Sequence, residues 1–179
     1  ADLHSPLNPN APFVLSLSKG EPRLCNDRLS MNVEKWKHRR LSPEKKMLTE
    51  SQLQQYHEDG YVIPDYRLPD DTLSAIRADH DRLIARHPEF RDYCPSVLAY
   101  ELSFLNYARI PDILNMVEQV LGPDFALWNS SFFAKPALNG RATPWHQDGE
   151  YWPIRPVATC TVWMAIDSAT IGNGCLRIV

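Results

Sequence analysis

Glycine is scarce in this 179-residue chain, with 7 copies, and nowhere do they cluster into a phosphate-cradling loop. The Gly-x-Gly-x-x-Gly fingerprint and the P-loop are both absent, which disfavours an α/β nucleotide-binding fold. Cysteine is also sparse. Cys25, Cys94, Cys160 and Cys175 show no Cys-x-x-Cys spacing. A zinc ribbon or dithiol redox motif is thereby excluded, and a reduced, cytoplasmic compartment is the default. No apolar run approaches the ~20 residues of a membrane span. Phe13 to Leu17 is too short and too interrupted for a signal peptide. Charge of one sign is lacking as well. A net charge of −3 provides no field for nucleic acid or a membrane surface. Internal repeats and low-complexity blocks are missing.

What is present is an ordinary globular composition, 44% hydrophobic and 23% charged, long enough for one domain with a real core. Residues 1–46 differ from the rest. They are rich in Pro, Asn, Ser and basic residues and show little periodicity, so they read as a disordered or non-native extension. Lys35, Lys37, His38, Arg39, Arg40, Lys45 and Lys46 form a basic cluster there, read as a solvated tail rather than a nucleic-acid or membrane contact. Met31 and Met47 are candidate starts, and the domain is expected over 47–179.

The domain opens with a helix. Thr49-Glu50-Ser51-Gln52 fits a capping box, and Gly60 stops the helix. Tyr61 to Ile63 is β-prone. Asp70 or Asp71 is expected to cap a second helix, with an apolar stripe of Leu73, Ile76, Leu83 and Ile84. His80, beside that stripe, reads as an ordinary helix residue. Tyr93, Tyr100, Phe104 and Tyr107 lack clean periodicity and read as core filling rather than as the lining of a pocket. Asp112 is expected to cap a helix ending at Gly122. Strands are expected over Phe125 to Lys135, around His146, and over Ala158 to Asp167. Asn173-Gly174 suggests a hairpin turn into a further strand. Helices first and strands second indicate an α+β protein whose C-terminal part is a sandwich or jelly roll.

The chemistry concentrates at Thr143-Pro144-Trp145-His146-Gln147-Asp148. On a strand, residues i and i+2 share a face, so His146 and Asp148 present an imidazole and a carboxylate together. That pair is two thirds of the 2-His-1-carboxylate triad that holds non-haem Fe(II). His-x-Asp alone is unspecific, since chance predicts roughly 0.4 copies in such a chain. A second copy, His57-Glu58-Asp59, lies on helical sequence, where i and i+2 diverge, and reads as a solvated helix end.

The run Trp145-His146-Gln147-Asp148, then Val162 to Asp167, then Asn173-Gly174-Cys175-Leu176, resembles the phytanoyl-CoA dioxygenase family. Leu48-Thr49-Glu50 through Asp59-Gly60-Tyr61-Val62 resembles the start of that family's domain. The resemblance implies an Fe(II)- and 2-oxoglutarate-dependent dioxygenase on a double-stranded β-helix, a jelly roll. It would consume O2 and hydroxylate a small organic molecule. By the same resemblance His146 and Asp148 are metal ligands, and Trp163 and Gln147 lie near 2-oxoglutarate. Ser131 stands where a family member contacts the co-substrate through methionine. Tyr151 and Trp152 are either walls of the substrate pocket or plain strand-edge aromatics.

The resemblance also implies a second His ligand, and a Ser and an Arg for the distal carboxylate of 2-oxoglutarate, on strands later than Val179. The chain therefore reads as a C-terminally truncated member with an incomplete site. The alternative is a non-catalytic jelly-roll fragment or partner-dependent half-domain. A zinc hydrolase built on His146 and Asp148 ranks below both, because no further His or Cys ligand is at hand.

Overall fold

A computed structural model describes residues 46–150, 152–153 and 158–179 in full, and 13–19 through the backbone. Nine elements organise the described residues: β1 (Phe13–Lys19), α1 (Glu50–Asp59), β2 (Tyr61–Val62), α2 (Asp70–Arg86), β3 (Tyr93–Cys94), α3 (Phe104–Ala108), α4 (Pro111–Leu121), β4 (Phe132–Phe133) and β5 (Ala158–Met164). Helices dominate the first part and strands the last, the α+β arrangement expected from the sequence.

The capping box that starts α1 is present. The Gln52 amide donates to Thr49 Oγ1 at 3.2 Å, and the Thr49 amide donates to Gln52 Oε1 at 2.9 Å. Two otherwise orphaned amides are satisfied reciprocally. Gly60 ends the helix at φ 82°, with its amide donating to Tyr56 O at 3.0 Å. Only glycine adopts that left-handed geometry without a Cβ penalty.

The other two caps differ from expectation. Pro69, not Asp70 or Asp71, occupies the cap position of α2, and Ile110 that of α4, with Pro111 at the first helical position. Proline's fixed φ leads the chain into each helix. Asp70, Asp71 and Asp112 fall in the first turns, where their charge meets the positive end of the helix dipole. Asp71 Oδ1 accepts from the Thr72 amide at 2.6 Å.

The core joins Leu48, Tyr56, Val62, Ile76, Leu83, Cys94, Val97, Phe104, Ile113, Met116 and Val117, all buried. Phe104 bears out the reading of residues 89 to 110 as core filling, and Tyr107 is packed against the core. Tyr93 and Tyr100 do not follow, since both are exposed. A clasp ties the lead-in of α1 to α4: Gln119 Oε1 accepts from the Met47 and Leu48 amides, and Gln119 Nε2 donates to Leu48 O, each at 2.9 Å. Asp79 is a buried charge on α2, paired with Arg82 and accepting from the Tyr107 hydroxyl at 2.7 Å.

One sheet has the order β2-β1-β5, antiparallel throughout, with Leu15 opposite both Val62 and Val162. Within residues 1–46, read from the sequence as a disordered or non-native extension, Phe13–Lys19 is a strand, with Leu and Ser alternating over 15–18. Nearly all of the basic cluster lies outside the described residues. Lys46 is described, in an exposed ion pair with Glu50.

Two further strand expectations are corrected. Of Phe125 to Lys135, only Phe132–Phe133 pairs, with Tyr93–Cys94. β propensity does not make a strand without a partner edge, and the only described edge beside this run is two residues long. At Asn173-Gly174 the structure has a 3-10 turn, Ile171–Asn173, instead of a hairpin. Asn173 Oδ1 accepts from the Thr170 amide at 2.6 Å, and this local bond captures the turn. No helix among the described residues is long and apolar enough to cross a membrane.

Candidate metal centre

β5 supplies the platform. Cys160, Val162 and Met164 pack against the core, so Thr161 and Trp163 occupy the opposite face by strand alternation. Thr161 Oγ1 donates to Asp148 Oδ2 at 3.2 Å. The other carboxylate oxygen, Oδ1, lies 3.2 Å from His146 Nε2. On the far side of the imidazole, Nδ1 lies 2.8 Å from Pro144 O.

His146 and Asp148 thus meet as the sequence predicts, though by another route. They are not on a strand. Asp148–Glu150 is a 3-10 turn, closed by the Glu150 amide donating to Gln147 O at 3.2 Å. Gly149 sits within the turn, and no partner strand runs beside 146–148 among the described residues. The turn folds the two side chains toward each other.

The arrangement fits a divalent metal ion. With metal–ligand bonds of about 2.1 Å, two ligands at right angles lie about 3.0 Å apart, close to the 3.2 Å found between Nε2 and Oδ1. The imidazole is oriented by the Pro144 carbonyl at Nδ1, the kind of outer-shell contact that would make Nε2 the ligating nitrogen if a metal bound. Both ring nitrogens face oxygen atoms, Nε2 that of Asp148 and Nδ1 that of Pro144. Among the described residues no group of three or more His, Cys, Asp or Glu side chains gathers to hold a metal.

The other sequence candidates divide. Trp163 lies on the same face of β5 as Thr161, two residues further along the strand. Gln147 is exposed and contributes its carbonyl to the turn. Ser131 Oγ accepts from Asn129 Nδ2 at 3.5 Å and makes no hydrogen bond to His146 or Asp148. Trp152 is half-buried, and Tyr151 lies outside the described residues.

Thr161 went unnoticed in the sequence, although it stands two residues before Trp163 and so shares its face. Asp79 was also missed. It lies three residues after Ile76 and four before Leu83, on the buried stripe of α2. His80 is more than an ordinary helix residue. Its ring stacks on Phe132 with centroids 4.3 Å apart, and its Nε2 is buried without a hydrogen-bond partner among the described residues. Burial lowers its pKa, opposed by the charges of Asp81 and Asp167. On the core side of β5, burial pushes the Cys160 thiol up to about 11, so it is inert at neutral pH.

Comparison with known proteins agrees with the motif. The chain is 26% identical over 159 residues to the human peroxisomal phytanoyl-CoA dioxygenase, covering 74% of this chain and 47% of that protein. A probable phytanoyl-CoA dioxygenase of Caenorhabditis elegans is 25% identical over 162 residues, covering 74% and 52% respectively. An ectoine dioxygenase of Bordetella bronchiseptica is 26% identical over 152 residues, covering 74% and 48%. The chain spans about half the length of these relatives. No solved structure matches it. The family description "Phytanoyl-CoA dioxygenase (PhyH)" matches residues 56–179, which carry all of α2 to β5 and the His146–Asp148 pair, and the chain belongs to that family.

Proposed function

We propose that the chain carries the metal-binding portion of an Fe(II)- and 2-oxoglutarate-dependent dioxygenase that hydroxylates a small organic molecule with O2. The jelly roll expected of the family is part of this reading. The observation that carries it is the 3.2 Å approach of His146 Nε2 and Asp148 Oδ1, with Nδ1 turned away to Pro144 O. His146 and Asp148 would hold the iron. Thr161 fixes the carboxylate by donating to the oxygen that does not face the imidazole. Trp163, on the same face, is an apolar flank for the co-substrate, with Gln147 and Ser131 assigned near it by family resemblance. Trp152 and Tyr151 are assigned to the substrate pocket. When bound, iron and 2-oxoglutarate together supply the oxidant that O2 alone is too sluggish to be. The protein's share is placement and exclusion of water. Free thiols at Cys94, Cys160 and Cys175 suit a reducing, cytoplasmic compartment, as Fe(II) does.

The test is anaerobic titration with Fe(II) and 2-oxoglutarate, followed by visible absorption, then succinate formation on admitting air. The wild type should give both signals, and His146→Ala and Asp148→Ala should give neither. A wild type that binds no iron sinks the proposal.

One observation favours the alternative of a partner-dependent half-domain. The described residues offer two metal ligands and no third. On that reading iron binds weakly and no succinate forms until a partner polypeptide is supplied.

A further inference from the structure

Trp145 immediately precedes His146, and it is exposed. Arg177 lies over it, with the guanidinium carbon 5.9 Å from the ring centroid. Arg177 is itself exposed, and among the described residues no carboxylate pairs with it. Asp148 does not compensate it, being engaged by His146 and Thr161. A second basic side chain lies at the turn before Arg177. The Lys135 side chain approaches the turn that leads to Arg177, its Cδ 3.8 Å from the place a Cβ on Gly174 would take. Lys135 is also exposed and without an ion pair among the described residues.

A guanidinium held over an indole by cation–π attraction keeps N–H donors for a ligand. Those donors match the two oxygens of a carboxylate or phosphate. The exposed indole adds apolar surface beside the charge.

We propose that Arg177, seated on Trp145 and backed by Lys135, recognises a carboxylate or phosphate on the primary substrate, whose apolar portion lies along Trp145 toward His146 and Asp148. What becomes of that ligand rests on the oxygenase reading; whether it binds does not. An anion at this rim has two sources, the primary substrate and the co-substrate, and the experiment separates them.

The metal-free protein is titrated with octanoate, with octan-1-ol and with 2-oxoglutarate, by calorimetry. The two eight-carbon probes share a chain and differ in charge. Octanoate should bind about tenfold more tightly than octanol, the worth of one charge-assisted contact at a partly exposed site. Arg177→Gln should abolish that preference while leaving octanol unchanged, and Arg177→Lys should restore part of it. The proposal is overturned if the wild type shows no preference for octanoate. It also fails if Arg177→Gln weakens octanol equally, which would make Arg177 a packing residue. Loss of 2-oxoglutarate binding with octanoate unaffected assigns the anion to the co-substrate and refutes it too. Iron titration of the same protein keeps the two ideas apart. A wild type that prefers octanoate but binds no iron upholds this inference and removes the oxygenase reading.

Discussion

Replacing Thr161 with valine removes one hydroxyl and nothing else of size. Valine keeps the β-branched shape, so β5 should keep its conformation and pairing. The lost contact is the 3.2 Å hydrogen bond to Asp148 Oδ2. Hydrogen bonds to charged groups contribute about 1.5–3 kcal/mol when water is excluded. The Asp148 side chain is 37% exposed, so water replaces part of the bond. The low end applies, about 1.4 kcal/mol, or a tenfold loss in metal affinity, within the range known for groups that orient a ligand. The assay is an anaerobic Fe(II) titration of wild type, Thr161→Val and Thr161→Ser. Serine keeps the hydroxyl and should retain most of the affinity. If the valine variant binds iron within twofold of wild type, Thr161 does not orient the ligand. If serine is as poor as valine, the methyl group and not the hydroxyl matters, and the argument fails.

Three further outcomes follow from the packing. Gln119→Ala removes three hydrogen bonds from a half-buried clasp and should cost about 2 kcal/mol in urea unfolding, with an unchanged denaturant slope; a loss below ~0.5 kcal/mol would show that water substitutes fully. Tyr107→Phe deprives buried Asp79 of its hydroxyl donor and should cost about 1–3 kcal/mol by thermal or urea unfolding, whereas a neutral result would mean that water or Arg82 satisfies both oxygens. For His80, burial sets a folded pKa below the ordinary 6.5, so the unfolded chain binds the proton more readily. Stability should be full above pH 6.5 and decline as pH falls from there through the folded value. His80→Phe should flatten that decline in a pH series of unfolding midpoints, and an unchanged slope would point to other groups.

Local signals were legible in the sequence where the structure is itself local. Thr49, Gln52 and Gly60 delimit α1 because capping depends on residues within one turn. The stripe of α2 was readable because helical periodicity is a property of a single segment. Strand extent was not. Phe125 to Lys135 has strand chemistry, but pairing depends on an edge some 40 residues away in the chain (β3), and that edge is two residues long. Asn173-Gly174 carries hairpin chemistry, yet the Asn173 side chain closes onto its own backbone first. At the candidate site, His146 and Asp148 were found from residue type and spacing, although a turn rather than a strand unites them. Thr161 and Arg177 escaped because their contacts, with Asp148 and Trp145, arise from tertiary proximity. Asp79 was within reach, since a charged residue on an apolar stripe must find partners.

The Gln119 clasp also bears on the order in which the molecule assembles. It closes a loop of 71 residues between Leu48 and α4. Closing a loop of that length costs about 4 kcal/mol of chain entropy. Three half-exposed hydrogen bonds recover less than that, so the clasp cannot draw α1 and α4 together. Hydrophobic docking of Tyr56, Leu48, Met116 and Val117 must come first, and the clasp forms on an interface already made. It therefore belongs to the descent from the folding barrier rather than the climb. Its removal should leave the folding rate nearly unchanged and speed unfolding. The clasp thus acts on how long the native state lasts, and hardly at all on how fast it is reached.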